Sequence, residues 1–435
     1  MTATTPPTPG TPPDRLPRLL RGLRSDGQAL SWDEHTSVHG RLPRTKHDGG
    51  GDPHLIEAVR RAGVVGRGGA SFPTGRKLAA VAAAASPRRR PLVVINGAEG
   101  EPVSSKDRVL LRRTPHLTLD GAQVCARAVG ATEVVVATTT SAAAAVSAAI
   151  SERDQRNADG VPTVVSVVPE RFVAGQYSAL VNFLEGGPGL PTFGGPGPHE
   201  RGVAGRPTLI LNTETVAHIA LVARHGPEWF RQLGTAAEPG STLTTAVGSL
   251  RRPGVYEVPR GLPLSGLVGR CGGPTAPLQA YLVGGYAGTW IPADEAWDCP
   301  LSEDGLRPAG GTLGVGVVMA FPSSACGLRE TARILRYLAG ESAGQCGPCV
   351  HGLPALADGF AQLAAGNAQN DIVRRLENWA WQVNGRGACR HPDGAARLAL
   401  SALRVFAADA ATHAHHRPCV HRSPLGARIT PTAPR

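Results

Sequence analysis

The chain has 435 residues, a formal net charge of +11 and 41% hydrophobic content, enough for two or three domains with their own cores. The basic side chains are dispersed and only 4% of residues are aromatic, which argues against a nucleic-acid surface and for a solvated, arginine-rich one. No apolar run of about eighteen residues is present, and the N-terminal segment lacks a basic stretch followed by an apolar one. The expected location is cytoplasmic, with membrane association at most peripheral and through partners.

Lysine occurs only as Lys46, Lys77 and Lys106, arginine supplying the rest of the 45 basic residues. Lys77 and Lys106 fall in the densest Gly and Glu motifs, where a compact ammonium differs from a planar guanidinium. The eight cysteines are Cys125, Cys271, Cys299, Cys326, Cys346, Cys349, Cys389 and Cys419. In a cytosolic chain of this length they do not read as a disulfide framework.

In chain order, residues 1–50 are rich in Pro, Gly, Thr and Arg, and predict a mostly disordered arm with one short helix near Leu16–Leu23. Residues 51–240 alternate β-branched runs (Leu92–Asn96, Glu133–Thr138, Thr163–Val168, Thr208–Asn212) with helical stretches, one of them Ser141–Ser151. That alternation predicts an α/β domain with a largely parallel sheet. The segment Leu184–Gly205 is too rich in Gly and Pro for regular structure, and a loop of that length is functional or mobile. Residues 241–325 return to short strands (Thr242–Val247, Gly254–Val258, Gln279–Val283, Gly314–Ala320) and predict a small β-rich domain.

From 326 to 410 the period becomes helical. Leu328, Ala332, Leu335 and Leu338 share one face; Leu353, Leu356, Phe360 and Leu363 a second; Ile372, Leu376 and Trp379 a third; Ala395, Leu398, Ala402 and Phe406 a fourth. A four-helix bundle follows. The polar, basic segment 411–435, with its His and Cys residues, predicts a loose tail.

Two motifs carry chemistry. GRGGASFPTGRK, Gly66 to Lys77, is a Gly-rich turn feeding a helix, which offers free N–H groups to a phosphate. INGAEGEPVSSKDR, Ile95 to Arg108, gathers an amide, carboxylates and a Lys-Asp-Arg triplet at the carboxyl end of a strand, where α/β sheets bind ligands. Taken with Leu184–Gly186, Arg206–Thr215, Arg252–Pro259 and Glu341–Cys349, the order and spacing resemble the flavoprotein F subunit of NADH:quinone oxidoreductase (complex I), collinearly from about residue 55 to 408. The resemblance implies a Rossmann-like FMN-binding domain, a ubiquitin-like β-grasp (SLBB) domain and a helical bundle holding an iron–sulfur cluster. It implies FMN contacts at Gly66, Arg67, Gly68, Gly69, Phe72, Lys77, Asn96, Glu99, Gly175, Asn212 and Thr213, with Glu101 beside the nucleotide. His116 and His218 match ordinary family positions and need only packing or capping roles. Expected partners are other redox subunits or a ferredoxin, with NADH a possible donor and no nucleic acid.

The sequence departs from the family in the nucleotide pocket, the flavin loop and the cluster motif. The acidic pair expected after Gly175 reads Gln176-Tyr177, the aspartate after Asn96-Gly97 is Ala98, and two adenine-stacking aromatics fall at Ala80 and Gly197. One glycine of the flavin loop is Ser71. The cluster motif has Ala343 at its first cysteine, leaving Cys346, Cys349 and Cys389. Three thiolates could hold a 3Fe–4S centre, a 4Fe–4S centre with an outside ligand, or Zn²⁺ with a histidine. Ser342, or His413, His415, His416, Cys419 or His421 of the tail, would be the outside donor; vestigial cysteines are the remaining reading. The functional reading is an electron-transfer oxidoreductase subunit; a non-catalytic scaffold, or a flavoprotein using a donor other than NADH, are the alternatives.

Overall fold

The computed structural model describes residues 16–42, 51–369 and 371–421. Strands β1 (Leu92–Gly97), β2 (Val134–Thr138), β3 (Thr163–Val167) and β4 (Thr208–Asn212) form a parallel sheet in the order β3-β2-β1-β4. Val93, Ile95, Val134, Val136, Leu209 and Leu211 are buried against the helices Pro115–Val129 and Thr213–Arg231. The strand order reverses between β1 and β4, so a crevice opens at their carboxyl ends. Asn96 and Asn212 face each other there in register.

Gly121 sets how closely those two helices approach. A Cβ at this position would lie 2.0 Å from the carbonyl oxygen of Val216. Gly121→Ala is therefore expected to destabilise the fold by about 1–3 kcal/mol, as overpacking does. Urea titration would show it as a lower midpoint at an unchanged m-value.

A second sheet has the order β6-β5-β9-β7-β8, from β5 (Ser241–Gly248), β6 (Gly254–Pro259), β7 (Leu278–Val283), β8 (Thr289–Pro292) and β9 (Val317–Pro322). Only the β5–β9 pair is parallel. β9 starts later than the expected Gly314, because Gly314 and Gly316 take positive φ of 55° and 73°. These left-handed residues turn the chain before pairing begins.

The C-terminal helices are Gly327–Gly340, Leu353–Ala365, Ile372–Val383 and His391–Val405, followed by Ala407–Ala414. Their apolar faces share one core with the inner face of the second sheet, including Leu335, Leu356, Phe360, Leu376, Leu398 and Phe406. Trp379 packs against that core and Trp381 is exposed.

Three expectations need correction. Residues 16–42 of the arm are ordered, and the stretch near Leu16–Leu23 forms turns, with a helix instead at Trp32–His39. The reason is long-range: Glu257 Oε2 accepts the amides of Arg18, Leu19 and Leu20 at 2.8, 2.8 and 3.2 Å, which takes them away from helical bonding. The Arg18 guanidinium stacks on Trp229 at 3.7 Å, and His35 bonds Asp120 at 2.6 Å. Next, the tail is not loose through residue 421, since His413 is fully buried and bonds Leu363 O at 3.2 Å. Last, the Gly/Pro-rich loop includes a short helix at Pro198–Arg201, and Asn182 Oδ1 accepts the amides of Gly189 and Leu190. Residues 1–15, 43–50 and 422–435 of the arm and tail lie outside the described residues.

No helix among the described residues is long and apolar enough to cross a membrane.

Candidate functional site

Backbone turns and charges converge at the carboxyl end of β1. Asn96 Nδ2 donates to Gly175 O at 2.7 Å, and its Oδ1 accepts the Ala98 amide at 3.2 Å. One side chain thus ties the end of β1 to the Phe172–Gly175 turn. Gly175 has no room for a side chain, since a Cβ there would sit 2.8 Å from Ala98 O. Thr213 donates to Asn96 O at 3.3 Å and fixes β4 to β1.

Asn212 caps the helix it begins, its Oδ1 accepting the Glu214 amide at 3.0 Å. The same oxygen accepts from Lys106 Nζ at 3.2 Å, while Nδ2 donates to Asp107. Lys106 is 2% exposed and lies 2.9 Å from Asp107 and 3.0 Å from Glu214. Burial disfavours its charge, but the two carboxylates outweigh that and raise its pKa. Burial likewise opposes ionisation of Glu214, yet Lys106, His218 and Arg67 hold its pKa well below the usual range.

Glu99 turns back on its own segment. It accepts Ser104 Oγ at 2.6 Å and the amides of Asp107 and Arg108 at 3.1 Å each, which caps the Lys106–Arg113 helix. Glu101 is buried; one oxygen accepts the Tyr286 amide at 2.9 Å and Oε1 has no partner. Burial pushes its pKa up to about 8, against the amides of Tyr286 and Val103 and with the Glu99 charge. A carboxyl held protonated at neutral pH follows.

With its folded pKa above the free value, Glu101 contributes stability that is complete below about pH 4.5 and is lost as pH rises through about 8. Melting temperatures from pH 5 to 9 should fall more steeply for the native chain than for Glu101→Gln. Parallel curves would exclude Glu101 as the source.

A cavity of about 310 Å³ collects the site, lined by Arg67, Gly68, Asn96, Glu99, Glu101, Gly175 and Asn212 among others. Of the expected flavin residues, Gly66, Gly69, Phe72, Lys77 and Thr213 do not line it. Gly66 closes the Gly-rich loop by donating to Phe72 O at 2.9 Å. Gly69 takes φ +101° against Gly314 and Val315. Lys77 is part-buried, which lowers its pKa, and its Nζ stands 5.7 Å from the Phe72 ring rather than in the cavity. Arg67 is 4% exposed and donates to Ser241 O at 3.0 Å, so it braces the second sheet. Ser71 keeps a left-handed φ of 46° where glycine is expected, and its hydroxyl donates to Glu303 at 2.8 Å.

Phe172, Val173, Val315, Arg390 and His391 also line this cavity, and no sequence pattern marked them as lining residues. Lys106 was legible from its rarity. The others come from separate regions of the chain and share no spacing.

Cys389 lines the same cavity. Its neighbours Cys346 and Cys349 sit before and within the Pro348–Gly352 turn. Burial opposes ionisation of Cys346, but N–H donors from Ala388 and Cys349 and the Cys349 thiol bring its pKa below the ordinary value. Burial, with the Cys346 thiol next, pushes Cys349 up to about 12. The Cys346 and Cys349 thiols bond each other and charge interactions tie Cys389 to both, a neighbourhood of soft donors that suits an iron–sulfur centre. Beside them His391 Nε2 donates to Leu338 O at 2.7 Å, and its buried Nδ1 has no partner. Phe172 packs between cavity and bundle, its ring 5.3 Å from His391 and 6.1 Å from Tyr337.

Among the described residues, the tail does not supply an outside donor for these cysteines. His413 and His416 bond Leu363 O and Gly366 O at the far end of the Leu353–Ala365 helix. At 1.5 Å per residue, that end lies roughly 20 Å from Cys349. Cys419 packs instead near Cys326.

Comparison with known proteins agrees with this geometry. Residues 59–221 match the Nuo51 FMN-binding domain, 243–285 an SLBB domain, and 329–413 the NADH-ubiquinone oxidoreductase-F iron-sulfur binding region. An NADH-quinone oxidoreductase F subunit of Rhizobium meliloti, the second of that name, is 31% identical over 93% of this chain and 99% of its own length. The chain belongs to the family of NADH-quinone oxidoreductase F subunits. The F subunit of Mycobacterium tuberculosis is 32% identical over 84% of this chain and 85% of its own. Among solved structures, an NAD⁺-reducing [NiFe]-hydrogenase in the air-oxidised state matches with a TM-score of 0.76 and 30% identity over 86% of this chain. This chain spans 64% of that hydrogenase chain. The family and the matched regions make this an FMN- and 4Fe–4S-type electron-transfer subunit, an oxidoreductase of mixed α/β fold with an SLBB domain and a helical C-terminal region.

Proposed function

We propose that the cavity at the carboxyl ends of β1 and β4 seats FMN, and that electrons leave it through a centre held by Cys346, Cys349 and Cys389. The three units would be residues 51–240, 241–325 and 326–410. The observation carrying this reading is that Cys389 lines the cavity shared by Gly68, Asn96, Gly175 and Asn212. FMN, when bound, supplies the conversion between two-electron and one-electron transfer. Asn96 and Asn212 orient polar groups on the ligand, Gly68 and Gly175 let backbone approach it, and Glu101 holds a proton at Oε1. Phe172 and His391 keep water out of the path to the sulfurs. A ferredoxin or another redox subunit would receive the electrons.

The donor is read as NADH held weakly. Gln176 commits its side-chain oxygen to capping the Tyr177–Leu184 helix, bonding the amides of Ser178 and Ala179 at 2.7 and 2.9 Å, and neither it nor Tyr177 carries a charge. Each lost stacking or polar contact costs on the order of 1 kcal/mol. Anaerobic titration of protein loaded with FMN and iron tests this. Complete bleaching by dithionite, with bleaching by NADH only at high concentration, is expected. Bleaching by stoichiometric NADH would overturn the weak-donor reading, and protein that retains no flavin would overturn the whole.

A further inference from the structure

A second set of metal-type ligands lies away from the flavin and the three cluster cysteines. We propose that Cys326, His413 and Cys419 form a zinc site that fastens the C-terminal tail to the helical bundle. Their ligand atoms all lie within 4.8 Å of one another. Cys326 and His413 are fully buried, and Cys419 is part-exposed. Residues 326, 413 and 419 come together only because the chain returns over the bundle after Ala407–Ala414.

The orientation of His413 favours a ligand role. Its Nδ1 donates to Leu363 O at 3.2 Å, which fixes the tautomer with the free lone pair on Nε2. A backbone carbonyl on the distal nitrogen is the usual second partner of a metal-bound imidazole. That Nε2 accepts the Cys419 amide at 2.9 Å, so it already points at the segment bearing the second thiol. On metal binding the lone pair would pass to the ion and the amide would turn to sulfur.

The donor chemistry selects the ion. Two thiolates and one imidazole suit Zn²⁺, with water from the exposed Cys419 side as the fourth ligand. Two thiolates also neutralise a divalent cation, which a buried site needs. Binding exchanges the two thiol protons for the metal, with no change of oxidation state. The site is separate from the iron–sulfur position: Cys326 starts the Gly327–Gly340 helix and Ala343 follows its end, roughly 20 Å apart at 1.5 Å per residue.

The test uses the full-length protein carrying FMN and iron, purified under reducing conditions and supplied with Zn²⁺. Elemental analysis should find about one zinc per chain, retained against a weak chelator. Cys419→Ser, chosen because this residue is part-exposed, should lose the zinc with iron and flavin absorbance unchanged. His413→Ala should do the same. Co²⁺ in place of zinc should give tetrahedral d–d bands and sulfur-to-metal charge transfer, both absent in Cys419→Ser. Zinc content unchanged by Cys419→Ser would overturn the proposal. So would failure of the native chain to bind micromolar Zn²⁺, or peptide mapping that finds Cys326 and Cys419 joined as a disulfide in the native protein.

Discussion

Replacing Cys349 with serine is expected to remove the iron–sulfur centre while the flavin stays. Cys349 is the most buried of the three cysteines, at 4% exposure, and bonds the Cys346 thiol. A centre that already lacks a cysteine at Ala343 has no thiolate in reserve. Changes to outer partners of a metal ligand cost about 10–100-fold in affinity, so loss of a ligand itself should exceed roughly 100-fold. The readouts are iron content, the low-temperature EPR signal of the reduced protein, and flavin absorbance. Iron and EPR should vanish together, with flavin content within error of the native chain. A native-like EPR signal in Cys349→Ser would remove Cys349 from the ligand set.

Lys106→Met should be the most destabilising substitution at the flavin edge. It deletes the ammonium between Asp107 and Glu214, whose side chains are 7% and 0% exposed. Breaking a buried ion pair by removing one partner costs about 3–5 kcal/mol, because the other charge is left uncompensated. Asp107 loses its ammonium partner, whereas Glu214 keeps Arg67 at 3.8 Å, so the lower end is expected. Asn212 also loses a donor on the oxygen that caps its helix, and flavin affinity should fall with stability. The pH dependence identifies the cause. Stranded carboxylates have raised pKa values, so the variant should recover relative to the native chain as pH falls from 7 towards 5. A deficit that stays constant with pH would indicate lost packing instead.

The sequence was most informative where structure follows from local pattern. The four parallel strands could be read from apolar runs, and β4 has the bounds the sequence suggested because Arg206-Pro207 and the Asn212 cap punctuate it. Gly68 and Asn96 of the two motifs were legible as cavity residues because each motif is local in sequence. Misreadings arose where a distant residue decided the outcome. Composition made 16–42 look disordered, since nothing nearby announces that Glu257 will take three of its amides. Glu99 lines the cavity, but its reach to the amides of residues 107 and 108 depends on the turn between and was not legible. His391 could not be placed in the cavity from sequence, because that wall belongs to a helix nearly 300 residues beyond β1.

The bond between the Arg18 amide and Glu257 spans 239 residues, and it has a consequence for biosynthesis. Arg18 leaves the ribosome long before Glu257 exists, so its amide lacks this acceptor while the first sheet assembles, although His35 can already bond Asp120. Contacts this distant in sequence form late, because a long loop must close before they reward it. The N-terminal segment is thus a closing element, locked only once β5 and β6 have folded. A chain interrupted before residue 257 would leave the amides of Arg18, Leu19 and Leu20 without this acceptor, and nascent-chain proteolysis should cleave near Arg18 until that point and spare it afterwards.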